Sequence, residues 1–86
     1  MSTRDLLDRI TYNPEIFGGK AIIRGRRLAV SHVLSMMAAG ASVDELLAHY
    51  PWLEREDIQA CLRYAADITD RERFMPLLVT SEAADR

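Results

Sequence analysis

The stretch SHVLSMMAAGASVDELLAHYPWLEREDIQACLRYAA, residues 31–66, decides the fold. Within it, apolar residues recur three times at the i, i+3, i+4, i+7 spacing of one helical face, which predicts three consecutive short helices. Two short helices joined by a tight connector and buttressed by a preceding helix are the helix-turn-helix arrangement. A three-helix core that touches no nucleic acid fits the same pattern, so both interpretations stay open at this point.

Local signals set the ends of the first two helices. Ser31 is expected to cap the first helix directly after Val30, and Gly40 is expected to end it. The segment Ser42–Glu45 matches a capping box, which predicts the start of the second helix. Pro51 disfavours helical geometry in the residue before it and therefore ends that helix.

The third helix is expected to carry one buried stripe and one exposed polar stripe. Negative charge near its start, which the helix dipole favours, comes from Glu54, Glu56 and Asp57. The apolar residues predicted to be buried are Ile58, Cys61, Leu62, Ala65 and Ile68. The polar residues that lie four apart and share an exposed face are Arg55, Gln59 and Arg63.

The residues before the three helices predict a small β element. Residues 2–9 could form a short helix, and residues 10–12 have strand character. The β-prone runs at residues 22–23 and 28–30 flank Gly25 and predict a hairpin with arginines at its tip. A solvated turn is the simpler interpretation for an isolated hairpin. Residues 20–27, however, include four basic side chains and no acidic one, which favours a phosphate contact. The four basic residues are Lys20, Arg24, Arg26 and Arg27.

Charge is divided unevenly along the 86 residues, although the net charge is only −2. Residues 1–42 hold six basic and three acidic side chains, whereas residues 43–86 hold five basic and ten acidic ones. Such a division suits a protein that presents one face to phosphates and another to a different partner. A chain this short is marginally stable alone, so a homodimer is expected.

Several classes of protein are not expected from this sequence. The N-terminus does not resemble a signal peptide, no run is long enough to span a membrane, and the single cysteine suits a cytoplasmic protein. His32 and His49 have no ligands at metal-binding spacing, and Cys61 reads as a core residue. No catalytic set of residues is present, so we expect neither an enzyme nor a cofactor.

A set of short motifs, in order and at matching spacing, resembles the domain-of-unknown-function family 433 over about residues 10–67. The motifs are Gly19-Lys20, Ile23-Arg24-Gly25, Arg27-Leu28, Val30, Ala39-Gly40, Glu45-Leu46, Tyr50-Pro51, Leu53, Glu56-Asp57-Ile58 and Tyr64-Ala65. The resemblance implies a bacterial helix-turn-helix domain and a VapB-like antitoxin, often encoded beside a PIN-like ribonuclease toxin. The chain departs from the family pattern at Ala21, Arg26, Ala29 and Glu54.

Together these observations predict a mainly α fold: a three-helix helix-turn-helix domain, homeodomain-like or winged-helix-like, with a small N-terminal β-hairpin and a C-terminal tail. The domain is expected over residues 1–68 and the tail over residues 69–86. Arg55, Gln59 and Arg63 are the candidates for contact with base edges, and the four basic residues near Gly25 for contact with phosphates. The tail carries an apolar patch that is expected either to pack on the protein's own core or on a dimer mate, or to bind a partner toxin: Phe74, Met75, Leu77, Leu78 and Val79. The alternative is a protein-interaction module that does not bind DNA.

Overall fold

A computed structural model describes residues 3–71 of the chain. Over this range four α-helices accompany a two-stranded antiparallel sheet. The elements are α1 (Thr3–Leu7), β1 (Ile10–Tyr12), β2 (Ala21–Ile23), α2 (Val30–Ala38), α3 (Val43–His49) and α4 (Arg55–Arg71), with a short 3₁₀ turn at Phe17–Gly19. The prediction of a small, mainly helical domain with a β element is therefore confirmed. None of the helices between residues 3 and 71 is long and apolar enough to cross a bilayer.

The sheet pairs different segments from those predicted. β1 pairs with β2 so that Ile10 lies opposite Ile23 and Tyr12 opposite Ala21. The expected partner, residues 28–30, contributes one isolated bridge, between Ile22 and Ala29. The predicted hairpin is wrong in this respect because α2 already begins at residue 30, which leaves the returning segment room for a single bridge.

Helix α2 begins earlier than predicted and ends as predicted. Its N-cap is Ala29, which makes no side-chain cap, so the assignment of Ser31 as the cap is wrong. At the other end, Gly40 has φ +108°, and the N–H of Ala41 donates to the Met36 carbonyl oxygen at 3.0 Å. This is a Schellman motif, whose left-handed residue glycine adopts at little cost.

The capping box at the start of α3 is confirmed. The Glu45 N–H donates to Ser42 Oγ at 3.1 Å, and the Ser42 N–H donates to Glu45 Oε1 at 2.7 Å. The helix ends at His49, and its C-cap Tyr50 is extended (φ −120°, ψ 91°), as expected for a residue that precedes proline.

Helix α4 forms the centre of the domain, since it packs against α1, α2, α3 and β1. Its buried residues are Asp57, Ile58, Ala60 and Cys61. The predicted stripe is correct at Ile58 and Cys61 but wrong at Leu62 and Ile68, which are 46% and 43% exposed. The buried face is rotated towards Asp57 because this aspartate occupies a core position that the apolar pattern had assigned to solvent.

Helices α2 and α3 and both strands contribute to the rest of the core. Leu46 of α3, Val33 of α2, Ile23 of β2 and Ile10 of β1 belong to one hydrophobic cluster with the buried face of α4. Helix α4 continues through the domain boundary expected at residue 68 and reaches Arg71. The predicted partner-binding residues of the tail lie outside the described residues.

Candidate nucleic-acid interface

Asp57, the third residue of α4, is a fully buried acid that fixes the start of the helix. Its Oδ2 accepts a hydrogen bond from the Glu54 N–H at 2.9 Å. This is the reach-back half of a capping box, the same bond that Glu45 makes to Ser42 in α3. The acid therefore holds the α3–α4 connector against the first turn of α4.

Two arginines neutralise this buried carboxylate. Arg24 donates from Nε to Oδ1 of Asp57 at 2.9 Å and from Nη2 to Oδ2 at 2.7 Å. Arg9 donates from Nη1 to Oδ1 of Asp57 at 2.9 Å and to Oε1 of Glu54 at 2.7 Å. A buried charge persists only when it is paired and hydrogen-bonded in this way.

The protonation of Asp57 reflects the balance between burial and these bonds. Burial alone raises the pKa of Asp57, but the hydrogen bonds from Arg24, the Glu54 N–H and Arg9 together hold the pKa below its ordinary value. The carboxylate therefore stays charged at neutral pH.

One turn further along α4, burial and then the charge of Asp57 raise the pKa of the Cys61 thiol to about 12, so this thiol is unreactive in the folded protein.

Arg24, which makes these contacts, has a left-handed backbone conformation that is unusual for a residue other than glycine. Its φ is +46° and that of Gly25 is +71°, and the Arg26 N–H donates to the Ile23 carbonyl oxygen at 2.8 Å across this turn. A non-glycine residue in the left-handed region costs about 1–3 kcal/mol and needs surrounding contacts to hold it. The pairing with Asp57 and a 3.1 Å bond from Arg24 Nη2 to the Trp52 carbonyl oxygen supply those contacts.

Trp52 joins the basic loop to the α3–α4 connector. The guanidinium of Arg26 lies 4.6 Å from the centre of the Trp52 ring, and that of Arg24 lies 5.6 Å from it. Tyr50 packs edge-on against Trp52 with ring centres 6.4 Å apart. Arg24 and Arg26 therefore do not project freely from the tip of the loop, because they lie against the connector that precedes α4.

Beside this connector is an open cavity of about 710 Å³. Lys20 and Arg27 supply positive charge to its lining, and Phe17 and Tyr50 supply two aromatic rings. The Arg27 guanidinium lies 5.7 Å from the centre of the Phe17 ring. None of the described residues that line the cavity is acidic, in contrast to the surroundings of Arg24.

The three candidates for base contact lie on the outer side of α4, and all are exposed. Arg55 is in an ion pair with Asp44 of α3, and Arg63 is in an ion pair with Asp67 of α4 itself. Gln59 lies between the two arginines on the helix. The exposed face exists as predicted, but each of its arginines already has an acidic neighbour.

The histidines are not part of a metal-binding cluster in the described part of the chain. His32 lines the cavity, and His49 packs edge-on against Tyr50 with ring centres 4.7 Å apart. Within residues 3–71, no group of three or more histidine, cysteine, aspartate or glutamate side chains could hold a metal ion.

Comparison with known proteins identifies the family of this domain. The family DUF433, described as a protein of unknown function, matches residues 10–65. The chain belongs to DUF433. Every residue expected to contact DNA lies inside the matched range, whereas Arg9, which pairs with Asp57, lies one position outside it.

Two relatives extend the comparison of this DUF433 chain. An uncharacterized protein, y4eO, of Sinorhizobium fredii (strain NBRC 101917 / NGR234) is 39% identical over 56 residues, which are 65% of this chain and 25% of the relative. The chain thus spans about a quarter of that relative's length. A crystal structure of a DUF433 member protein from Anabaena variabilis ATCC 29413 is 32% identical, with a TM-score of 0.69 over 84% of this chain and 71% of that one.

Proposed function

We propose that this DUF433 domain binds operator DNA and acts as the antitoxin of a toxin–antitoxin pair. In this proposal α3 and α4 form a helix-turn-helix of the homeodomain-like or winged-helix-like kind, and α4 enters the major groove. The observation that carries the proposal is the stacking of Arg26 on Trp52, which places the basic loop beside the connector that leads into α4. Phosphate contacts next to a groove-reading helix are what fix such a helix on a duplex.

The candidate residues then divide into two roles. Lys20, Arg26 and Arg27 would contact phosphates, because all three are exposed and none is in a described ion pair. Arg24 would act as a positioning residue, since its guanidinium is bound to Asp57 and to the Trp52 carbonyl oxygen. Arg55, Gln59 and Arg63 would read base edges, and on the duplex Arg55 and Arg63 would exchange their acidic neighbours for bases.

The antitoxin role comes from the family resemblance together with the charge division of the chain. A homodimer would place two copies of α4 on half-sites about 34 Å apart. The C-terminal tail would face a basic, RNA-binding toxin encoded nearby, with Phe74, Met75, Leu77, Leu78 and Val79 as the contact. Replacing Leu77 and Leu78 by aspartate in the intact chain should abolish co-purification of that toxin. Equal recovery of the toxin with the wild-type chain and with this variant would show that the tail does not bind the toxin.

DNA binding is tested by fluorescence anisotropy with duplex DNA from the gene's own promoter over a series of salt concentrations. The slope of log affinity against log salt should fall by roughly 0.9 for each phosphate contact that is removed. The variant that carries Arg26→Gln and Arg27→Gln should therefore show a slope shallower by nearly two, while Arg4→Gln on α1 should leave the slope unchanged. Undetectable binding, or affinity that does not respond to salt, would reject the proposal.

A protein-interaction module without DNA binding is the second candidate, and the acids around α4 favour it. Asp44 and Asp67 pair with the two arginines of the proposed reading face, and Glu54 and Glu56 flank the start of the helix. An α4 that only contacts protein would show no preference among DNA sequences. Gln59→Ala separates the candidates, because loss of one base contact should cost about 1–3 kcal/mol of discrimination at one position of the operator.

A further inference from the structure

The cavity beside α2 is lined by aromatic rings as well as by basic side chains, and contact with duplex phosphates does not require these rings. Its lining combines segments distant in sequence: the 3₁₀ turn, the residue before β2, the loop before α2 and the end of α3. Its volume of about 710 Å³ is in the range of sites that hold small organic molecules. The cavity opens to solvent, so small molecules have access to it, and its combined cationic and aromatic lining calls for an explanation beyond contact with duplex phosphates.

Groups that bind phosphate meet in this cavity. Lys20 and Arg27 carry positive charge, and Ser31 and Ser35 add hydroxyls one helical turn apart on α2. Arginine and lysine form short, charge-assisted hydrogen bonds to phosphate oxygens, and hydroxyls supplement them. The described lining contains no carboxylate that would compete for these donors.

An aromatic ring is held at the same cavity at a conformational cost. Phe17 has φ +51°, and its side chain is 46% exposed rather than packed in the core. A bulky residue in the left-handed region is an outlier, and such strain concentrates at binding sites. The Arg27 guanidinium lies 5.7 Å from the centre of the Phe17 ring, so a positive charge and a flat apolar surface are adjacent.

We propose that the cavity binds an unstacked nucleotide, with its phosphate at Lys20 and Arg27 and its base against Phe17. Aromatic side chains bind exposed bases by stacking and do so for every base type. Bases inside a duplex are already stacked and cannot enter, so this site goes beyond the proposed operator contact. The shared chemistry is a nucleoside phosphate, supplied either by a free mononucleotide or by the 5′ end of a single strand.

The test measures binding to the intact chain by isothermal titration calorimetry. The probes are adenosine 5′-monophosphate, adenosine and a 5′-phosphorylated single-stranded oligonucleotide. Adenosine should bind at least about tenfold more weakly than its monophosphate, because it lacks the group held by two cations. Arg27→Gln should weaken the monophosphate about tenfold, and Arg4→Gln, the same substitution on α1 outside the cavity, should not change its affinity.

Phe17→Gly removes the ring but keeps a residue that adopts positive φ freely, so the fold should persist. The lost stacking should weaken the monophosphate by about fivefold or more. Ser35→Phe, which places a bulky ring in the cavity and removes no charged side chain, should have a similar effect. If neither phosphorylated probe binds, or if Arg27→Gln and Phe17→Gly both leave binding unchanged, the proposal is overturned.

The two sources of the phosphate give different results. Binding of the mononucleotide identifies a free ligand, and binding of the oligonucleotide alone identifies a strand end. Lys20 and Arg27 also serve the operator proposal, so promoter duplex is titrated with the same proteins. Nucleotide binding without duplex binding rejects only the operator proposal, and duplex binding without nucleotide binding rejects only this one.

Discussion

The start of α4 and the cavity beside α2 both gather basic side chains, but in opposite electrostatic settings. At the start of α4, Arg9 and Arg24 surround the buried Asp57, and their charges are neutralised inside the protein. At the cavity, Lys20 and Arg27 have no acid among the described lining residues. Arg24 and Arg27 are only three positions apart in the sequence, so a count of basic residues does not give the number of phosphate contacts. A basic side chain is available for a phosphate only when no acidic side chain lies close enough to pair with it.

The largest expected effect comes from removing the acid itself. Asp57→Asn leaves the Arg24 guanidinium without a negative partner and leaves Arg9 with Glu54 alone, and it should destabilise the domain by about 3–5 kcal/mol. Asp44→Asn is the matched control, because it breaks an exposed ion pair with Arg55 and should cost at most about 1 kcal/mol. Urea unfolding followed by the fluorescence of Trp52 measures both changes. Similar losses in the two variants would mean that the Asp57 cluster has no special structural role.

Low pH should remove the stabilisation that the Asp57 carboxylate provides, without a mutation. The pKa of Asp57 is lower in the folded protein than its unfolded value of about 3.9, so its stabilisation is fully present above that value. This stabilisation is lost as the pH falls through the lower folded pKa. The difference in unfolding free energy between the wild type and Asp57→Asn should therefore shrink progressively in acid below about pH 4. A difference that stays constant down to about pH 2 would place the stabilisation in packing rather than in the charge.

The third prediction compares two arginines of the same loop directly. Arg24→Gln removes two hydrogen bonds to a buried charge and should cost about 2 kcal/mol of stability. Arg26→Gln removes an exposed cation–aromatic contact and should cost about 0.5–1 kcal/mol. For promoter affinity we expect the reverse order, with the larger loss from Arg26→Gln when both proteins are folded. Equal effects of both substitutions on stability and on affinity would erase the distinction between a positioning arginine and a contact arginine.

Local signals in the sequence were sufficient for most of the helix ends. The capping box at Ser42 and the glycine at position 40 act through bonds between close neighbours, so residue identity alone specifies them. The start of α2 was placed too late because Ser31 was available as a cap, whereas the observed N-cap is Ala29, which makes no side-chain cap bond. The sheet pairing was also missed, since β1 and β2 meet across an eight-residue connection, and its turn signals at Asn13-Pro14 and Gly18-Gly19 do not show which strands it joins.

The Asp57 cluster could not be predicted because its members are far apart in the sequence. Arg9 and Arg24 reach the acid across 48 and 33 positions, and an aspartate near a helix start is adequately explained by the helix dipole. One signal was present: Glu54 and Asp57 have the spacing of Ser42 and Glu45, which indicates that Asp57 reaches back to the helix start. Spacing of this kind gives the local bond, but it does not show that the carboxylate is buried.

The position of Arg9 affects how this domain should be excised from longer chains. The family match begins at residue 10, yet one of the two guanidinium groups on Asp57 belongs to the residue just before that boundary. A fragment trimmed to the limits of the family match would leave the buried acid half-neutralised and would misrepresent the stability of the natural protein. Cloning boundaries chosen for DUF433 domains with an arginine at this place should therefore start upstream of it.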